Sequence, residues 1–281
     1  MIRNVNHLIP DKPKSGNDKD GDDTDNGETC DSNRVVGEND GVRVFVPLCG
    51  KTVDMAYLTQ LEQVEEVVGV DAIRIAIEDF IQEQPQLNII EVEKLSDGDG
   101  ITACTTEAIS NNNNTNFEHW VGKKISLHVG DFFSLKTTDS SSSSSLLLLG
   151  GGDGSSKSKE KDKKELFDAV FDRGSLVAID PHMRKEYISI IGNLIAPGGR
   201  ILLVTLEKQG TEEDAIKKGP PYSISEENVQ TLFQFSDWVD TIEVLEREDI
   251  ISSEPPEKVK GLDHYYEIAM LITAKQTVVI T

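Results

Sequence analysis

Residues 42–50 read VRVFVPLCG and residues 64–71 read VEEVVGVD, and together they decide the fold. Val42 to Val46 is a short β-branched run of the kind found in a parallel strand buried on both faces. The run breaks at Pro47 and Gly50, and Lys51 to Leu61 follows as a helix-like stretch. The first backbone N–H groups of such a helix face whatever lies above the strand, and Gly50 lets a ligand come close to the chain. Asp71 stands 21 positions beyond Gly50. In a nucleotide-binding βαβ unit a carboxylate about 20 residues on reaches a ribose hydroxyl.

The glycine triplet G-x-G-x-x-G, which brings a backbone up to a pyrophosphate, is absent. PLCGKTVDM holds one glycine and places Lys51 and Val53 at the later positions. The pattern keeps the ribose carboxylate without the phosphate cradle, which suits a nucleoside cofactor such as S-adenosylmethionine better than a dinucleotide. On these residues alone an ordinary α/β turn accounts for the pattern equally well.

The chain of 281 residues is read as one domain with insertions, because several stretches cannot join a core. Residues 1–41 are expected to be a disordered acidic segment, since residues 11–41 are rich in Asp, Gly, Asn and Lys and lack apolar periodicity. Residues 42–281 form the folded domain, interrupted at about 94–116, which ends in NNNNTN, and at about 137–164, which runs through SSSSSS and LLLLGGG to KSKEKDKK. The four leucines at 146–149 have neither helical nor strand period. A formal charge of −22 disfavours nucleic acid and anionic membranes as partners. Cys30, Cys49 and Cys104 are too few and too scattered for a disulfide framework or a C-x-x-C zinc site. No apolar run approaches the ~20 residues of a membrane span, and MIRNVNHLIPD lacks a secretory core, so a cytoplasmic location is expected.

Between the insertions, strand-like runs recur at 125–132 (ISLHVGDF), 166–172 (LFDAVFD) and 199–207 (GRILLVTLE). Helical patterns cover 72–84, 181–195 and 225–235, with Pro181 suited to a first helical turn. Strand and helix alternating in this way predict a parallel sheet with crossover helices. Residues 238–246 and 266–274 are strand-like with no helix-length pattern between them, which predicts an antiparallel hairpin closing the sheet edge.

The blocks VFVPLCGKTVDM, VVGVD, GDFF, FDAVFDRGSLVAIDP, GGRILLVTLE and GPPYSIS resemble the thiopurine S-methyltransferase family of class I methyltransferases across roughly residues 42–275. The resemblance implies an α/β, Rossmann-like fold: a mostly parallel seven-stranded sheet with helices on both faces and a C-terminal antiparallel hairpin. It implies S-adenosylmethionine as methyl donor, a small aromatic or heterocyclic thiol as acceptor, or selenium and tellurium species as in bacterial relatives, and a monomer. It places Leu48 and Gly50 beside the cofactor, Asp71 on the ribose, and Asp131 and Phe132 at the adenine. Because alternation along a strand puts Phe132 and Phe133 on opposite sides, Phe132 is taken as the ligand-side ring. It places Arg173 at the shared cofactor and substrate pocket, where a fixed cation would favour an acceptor thiolate or hold an acidic group on the acceptor, with an ordinary surface salt bridge as the competing reading.

No metal is assigned, because Asp172 lacks spaced partners, and no hydrolytic triad is expected from the five histidines. Cys49 belongs to the family motif without being a nucleophile. Family members open with a Trp-containing lid over the cofactor, whereas this chain has no tryptophan before Trp120, with Val5 to Ile9 matching the end of that element. The resemblance therefore leaves a weak or inactive cofactor-binding protein as the alternative function. A nicotinamide-dependent oxidoreductase would share only the strand-turn-acid pattern and conflicts with the missing triplet.

Overall fold

The computed structural model describes residues 3–9, 41–92, 117–135 and 166–276. Within them the chain forms β1 (Val42–Pro47), β2 (Val64–Asp71), β3 (Ile90–Glu91), β4 (Glu118–Gly122), β5 (Ile125–Val129), β6 (Phe167–Arg173), β7 (Ile195–Gln209), β8 (Val239–Asp249) and β9 (His264–Ala274). They join one sheet in the order β3-β4-β5-β2-β1-β6-β7-β9-β8. The strands from β5 to β7 are mutually parallel, and β9 is antiparallel to both of its neighbours.

The apolar runs dictate this arrangement. In β1, Val44 and Val46 enter the core on one face and Phe45 the core on the other, where its ring stacks on Phe167 at 4.9 Å. A strand with both faces apolar has no solvent side, so it sits in the middle of the sheet. β8 has only exposed and half-buried positions, and it takes the edge.

Helices cover both faces. One core packs α1 (Val5–Leu8), α2 (Val53–Leu58) and α3 (Arg74–Glu83) against the sheet. The other packs α4 (Ser175–Ala178), α5 (Arg184–Leu194) and α7 (Glu226–Phe233), and α6 (Glu213–Lys217) lies exposed between β7 and α7. Gly69 is needed for the first packing: a Cβ there would come within 2.9 Å of Cys49 Sγ, Met55 Sδ and Leu127 Cδ2 together. Ser225 and Asn228 close α7 with a reciprocal capping box.

The seven-stranded sheet expected from the sequence is present, and β3 and β4 extend it by two antiparallel strands at the β5 edge. The terminal hairpin is also present, although β9 pairs with β7 inside the sheet and β8 alone forms the margin. Helix α5 begins at Arg184 because Pro181–Met183 makes a separate 3-10 turn capped by the Asp180 carboxylate, which accepts from His182 N at 2.9 Å.

The expectation of a disordered segment over residues 1–41 is corrected for residues 3–9. They form α1, and Leu8 and Ile9 are buried against β6 and β7, because two adjacent apolar side chains suffice to dock one helical turn on the sheet. Residues 10–40, the insertions near 94–116 and 137–164, and Leu146–149 lie outside the described residues.

Candidate functional site

The strand order reverses at β1, whose neighbours β2 and β6 lead to opposite halves of the sheet. In open α/β sheets ligands bind in the crevice above such a reversal, at the carboxyl ends of the strands. The exits of β1, β2 and β6 carry Leu48, Asp71 and Arg173, so three of the expected residues meet at this crevice.

The turn after β1 is built tightly. Leu48 and Gly50 take positive φ values of 41° and 50°. A leucine in that region is strained and must be held by its surroundings. Cys49 N donates to Val70 O at 3.0 Å, and Gly50 N donates to Asp71 Oδ2 at 2.8 Å. Asp71 Oδ1 accepts from Ile73 N at 2.7 Å. The buried Asp71 carboxylate thus stitches the β1 exit to the start of α3, and among the described residues each oxygen accepts one hydrogen bond of the two it can take. Burial, and next to it the charge of Asp71, push the Cys49 thiol well above its ordinary range, which leaves it inert as a nucleophile.

After β6 the chain turns at Gly174, with φ 104° and no atom within 4 Å of where a Cβ would stand. Asp172, fully buried, accepts from the N–H groups of Ser175 and Leu176 at 3.1 and 3.2 Å and from the Tyr187 hydroxyl at 2.7 Å. Its carboxyl is raised by burial, against which these hydrogen bonds work. Asp172 therefore caps α4 and fixes the backbone that aims Arg173. Ser175 Oγ adds a hydrogen bond of 2.6 Å to Pro47 O, tying the β6 exit to the β1 exit.

Arg173 itself is half exposed. Its Nη1 donates to Asp54 Oδ2 at 3.3 Å and its Nη2 lies 3.8 Å from Glu267 Oε2. Asp54 is buried in the first turn of α2, where it also accepts from Thr52 Oγ1 at 3.1 Å. Sequence reasoning missed both carboxylates. Asp54 reads as a first-turn helix acid, and Glu267 comes from β9, far along the chain, with nothing local to mark it.

Asp131 and Phe132 follow β5, but not as expected. Asp131 is exposed and accepts from Phe133 N at 3.0 Å and Ser134 Oγ at 3.3 Å, opening a 3-10 turn over Phe132–Leu135. Phe132 is enclosed in the core, 4.9 Å from the Tyr187 ring and 6.4 Å from Phe45, so the choice of Phe132 as ligand-side ring is corrected. Alternation holds along an extended chain and fails on a turn. Phe133, half-buried and edge-on to Phe132 at 5.4 Å, is the ring on the open side.

A parallel sheet that reverses at β1, with β9 inserted antiparallel before the edge and an acid ending β2 at the reversal, is the fold of the class I S-adenosylmethionine-dependent methyltransferases, and this protein is one of them. The family model for thiopurine S-methyltransferase matches residues 32–145 and 159–275, and the chain belongs to that family. It is 29 % identical over 241 residues to the thiopurine S-methyltransferase of Pseudomonas entomophila (strain L48), covering 85 % of each chain. It is 31 % identical over 215 residues to that of Pseudomonas putida (strain W619), covering 76 % of this chain and 74 % of the other. Among solved structures, the arsenic(III) S-adenosylmethionine methyltransferase of Chlamydomonas reinhardtii is 14 % identical with a TM-score of 0.49, covering 85 % of this chain and 65 % of that one. That likeness is too distant to bear on the site.

Proposed function

We propose that the chain methylates the sulfur of a small thiol, aromatic or heterocyclic, in the crevice above β1 and β6. The observation that carries this reading is the meeting there of Asp71, each of whose oxygens accepts one hydrogen bond among the described residues, and Arg173, on the two sides of the strand reversal. The relatives named thiopurine S-methyltransferase support the choice of sulfur.

The residues fit S-adenosylmethionine. Among the described residues, the space that a Cβ would occupy at Gly50 has Asp71 Oδ2 as its nearest neighbour, at 4.0 Å, and at Gly174 nothing beyond the adjoining residues comes within 4 Å. Asp71 would accept from the ribose hydroxyls, Leu48 would wall the methionine chain, and Asp131 with Phe133 would meet the adenine amine and ring face. When bound, the cofactor supplies an electrophilic sulfonium methyl, which the acceptor sulfur takes in line as S-adenosylhomocysteine leaves.

What the protein adds is orientation, exclusion of water and charge. An aromatic or heterocyclic thiol of low pKa is already partly thiolate near neutrality, so little acid–base machinery is required, and positioning contributes large effective molarities, ~10⁵ M or more in favourable systems. Arg173, anchored by Asp54, holds a cation that favours the thiolate.

Calorimetric titration of the full chain with S-adenosylmethionine and S-adenosylhomocysteine, repeated on Asp71→Ala, tests the site. The expected result is micromolar binding that the substitution abolishes. A screen of small thiols with the wild-type protein then tests the chemistry, and cofactor binding without methylation of any thiol would sink it.

A further inference from the structure

Arg184 opens α5 and is only 6 % exposed, yet among the described residues its Nε and Nη2 atoms have no hydrogen-bond partner. These two nitrogens form one edge of the guanidinium, the side-on fork that matches the paired oxygens of a carboxylate. No carboxylate among the described residues pairs with it, and Asp180 acts on it only at longer range. A buried charge left unpaired is strongly disfavoured, so an orphaned fork in a folded protein calls for a ligand.

The fork belongs to the ligand edge of the sheet. Pro47 at the β1 exit accepts from Ser175 Oγ, two residues on Val177 O accepts from Tyr222 N at 2.7 Å, and the Tyr222 ring lies 5.9 Å from the Arg184 guanidinium carbon. Lys208 of β7 holds the loop that carries Tyr222, donating from Nζ to Lys218 O at 2.6 Å and Pro221 O at 2.7 Å. Two cations, Arg184 and Lys208, thus flank Tyr222.

We propose that Arg184 anchors an anion subsite for the methyl acceptor, which carries a carboxylate that docks on the Nε and Nη2 edge while its sulfur faces the methyl donor. This rests on the reading of the chain as a thiol methyltransferase. Arg184 is enclosed, with the Tyr222 ring as its aromatic neighbour, so entry of the anion requires that ring or another enclosing side chain to turn aside. The methionine carboxylate of the cofactor offers the same chemistry, and the test separates the two sources.

The 2-, 3- and 4-mercaptobenzoates are each compared with their methyl esters as acceptors for the wild-type protein, Arg184→Gln and Arg184→Lys. The wild type should show a KM at least tenfold lower for one or more acids than for the matching ester. Arg184→Gln should raise that KM tenfold or more and leave the ester within twofold, with Arg184→Lys intermediate. Titrated S-adenosylhomocysteine should bind the wild type and Arg184→Gln equally. Absence of acid preference, or equal losses on acid and ester, overturns the proposal. Weaker S-adenosylhomocysteine binding by Arg184→Gln assigns the fork to the cofactor and also overturns it. Should no thiol be methylated, titration of the same acids into the S-adenosylhomocysteine complex decides: binding lost in Arg184→Gln sustains the subsite while the thiol methyltransferase reading falls, and no binding by the wild type ends both.

Discussion

At the scale of single residues, the side chains at the crevice divide by the source of their partners. Asp71 and Gly50 were legible as neighbours of the crevice, because the strand-turn-helix-strand order puts the exits of β1 and β2 side by side, although the hydrogen bond between them was not. Asp54, Glu267 and Arg184 were not legible, since each acquires its meaning from segments that only the sheet brings together. If Arg173 favours the acceptor thiolate, Arg173→Gln should lower kcat/KM by about tenfold or more and move the acid limb of its pH profile upward, with Arg173→Lys milder. An unchanged profile would reduce Arg173 to a bridge between Asp54 and Glu267. Gly69 makes a different prediction. A methyl group there meets two sulfurs and a leucine at 2.9 Å, all inside a close-packed core, and Gly69→Ala should cost about 1–3 kcal/mol in urea unfolding. A neutral result would mean that α2 can move off the sheet freely.

Among the elements, the long ones were readable and the short ones were not. β1, β2, β6, β7 and α5 are apolar over enough residues for a period to show, whereas β3 has two residues and α4 four. β4 was hidden by the asparagine run directly before it, which swamps any window containing EHWVG. That missed strand has a consequence for pH dependence. His119 of β4 stands opposite His128 of β5, their rings stacked at 4.4 Å with no hydrogen-bond partner for any ring nitrogen among the described residues. Burial lowers His119 to about 4, and burial followed by the neighbouring His119 pushes His128 well below its ordinary range. Both rings are therefore neutral in the folded protein, while the unfolded chain takes up protons near pH 6.5. Stability contributed by the pair should be complete above pH 7 and fall as pH drops from 6.5 toward 4, by about 2 kcal/mol per imidazole at pH 5. Urea midpoints at pH 7.5 and 5.0 check this: the difference should shrink in the double variant His119→Leu with His128→Leu, and an equal difference in both proteins would sink the idea.

For the whole molecule, the contacts that matter most join the ends of the chain. Residues 3–9 reach the far half of the sheet: Arg3 pairs with Glu246 and Glu248, Asn4 Nδ2 donates to Glu246 Oε2 at 3.0 Å, and Arg200 donates to His7 O at 3.0 Å. Composition predicted nothing of this, because a single helical turn beside a long polar stretch carries no readable period. Two kinds of interaction hold the turn, and their magnitudes decide which one matters. The Arg3 pairs are exposed at both ends, and such pairs are screened by water and salt. Leu8 is 2 % exposed and belongs to the core that also holds Val44, Ala169 and Leu202, where removing a side chain loses both its transfer from water and the contacts of its neighbours. Leu8→Ala should therefore lower the urea midpoint by the equivalent of about 2–4 kcal/mol with the slope of the transition unchanged, whereas Arg3→Ala should be indistinguishable from the wild type. If the two variants ranked the other way, charge rather than burial would hold the N-terminal turn to the sheet, and the packing of Leu8 and Ile9 would be incidental to the stability of the fold.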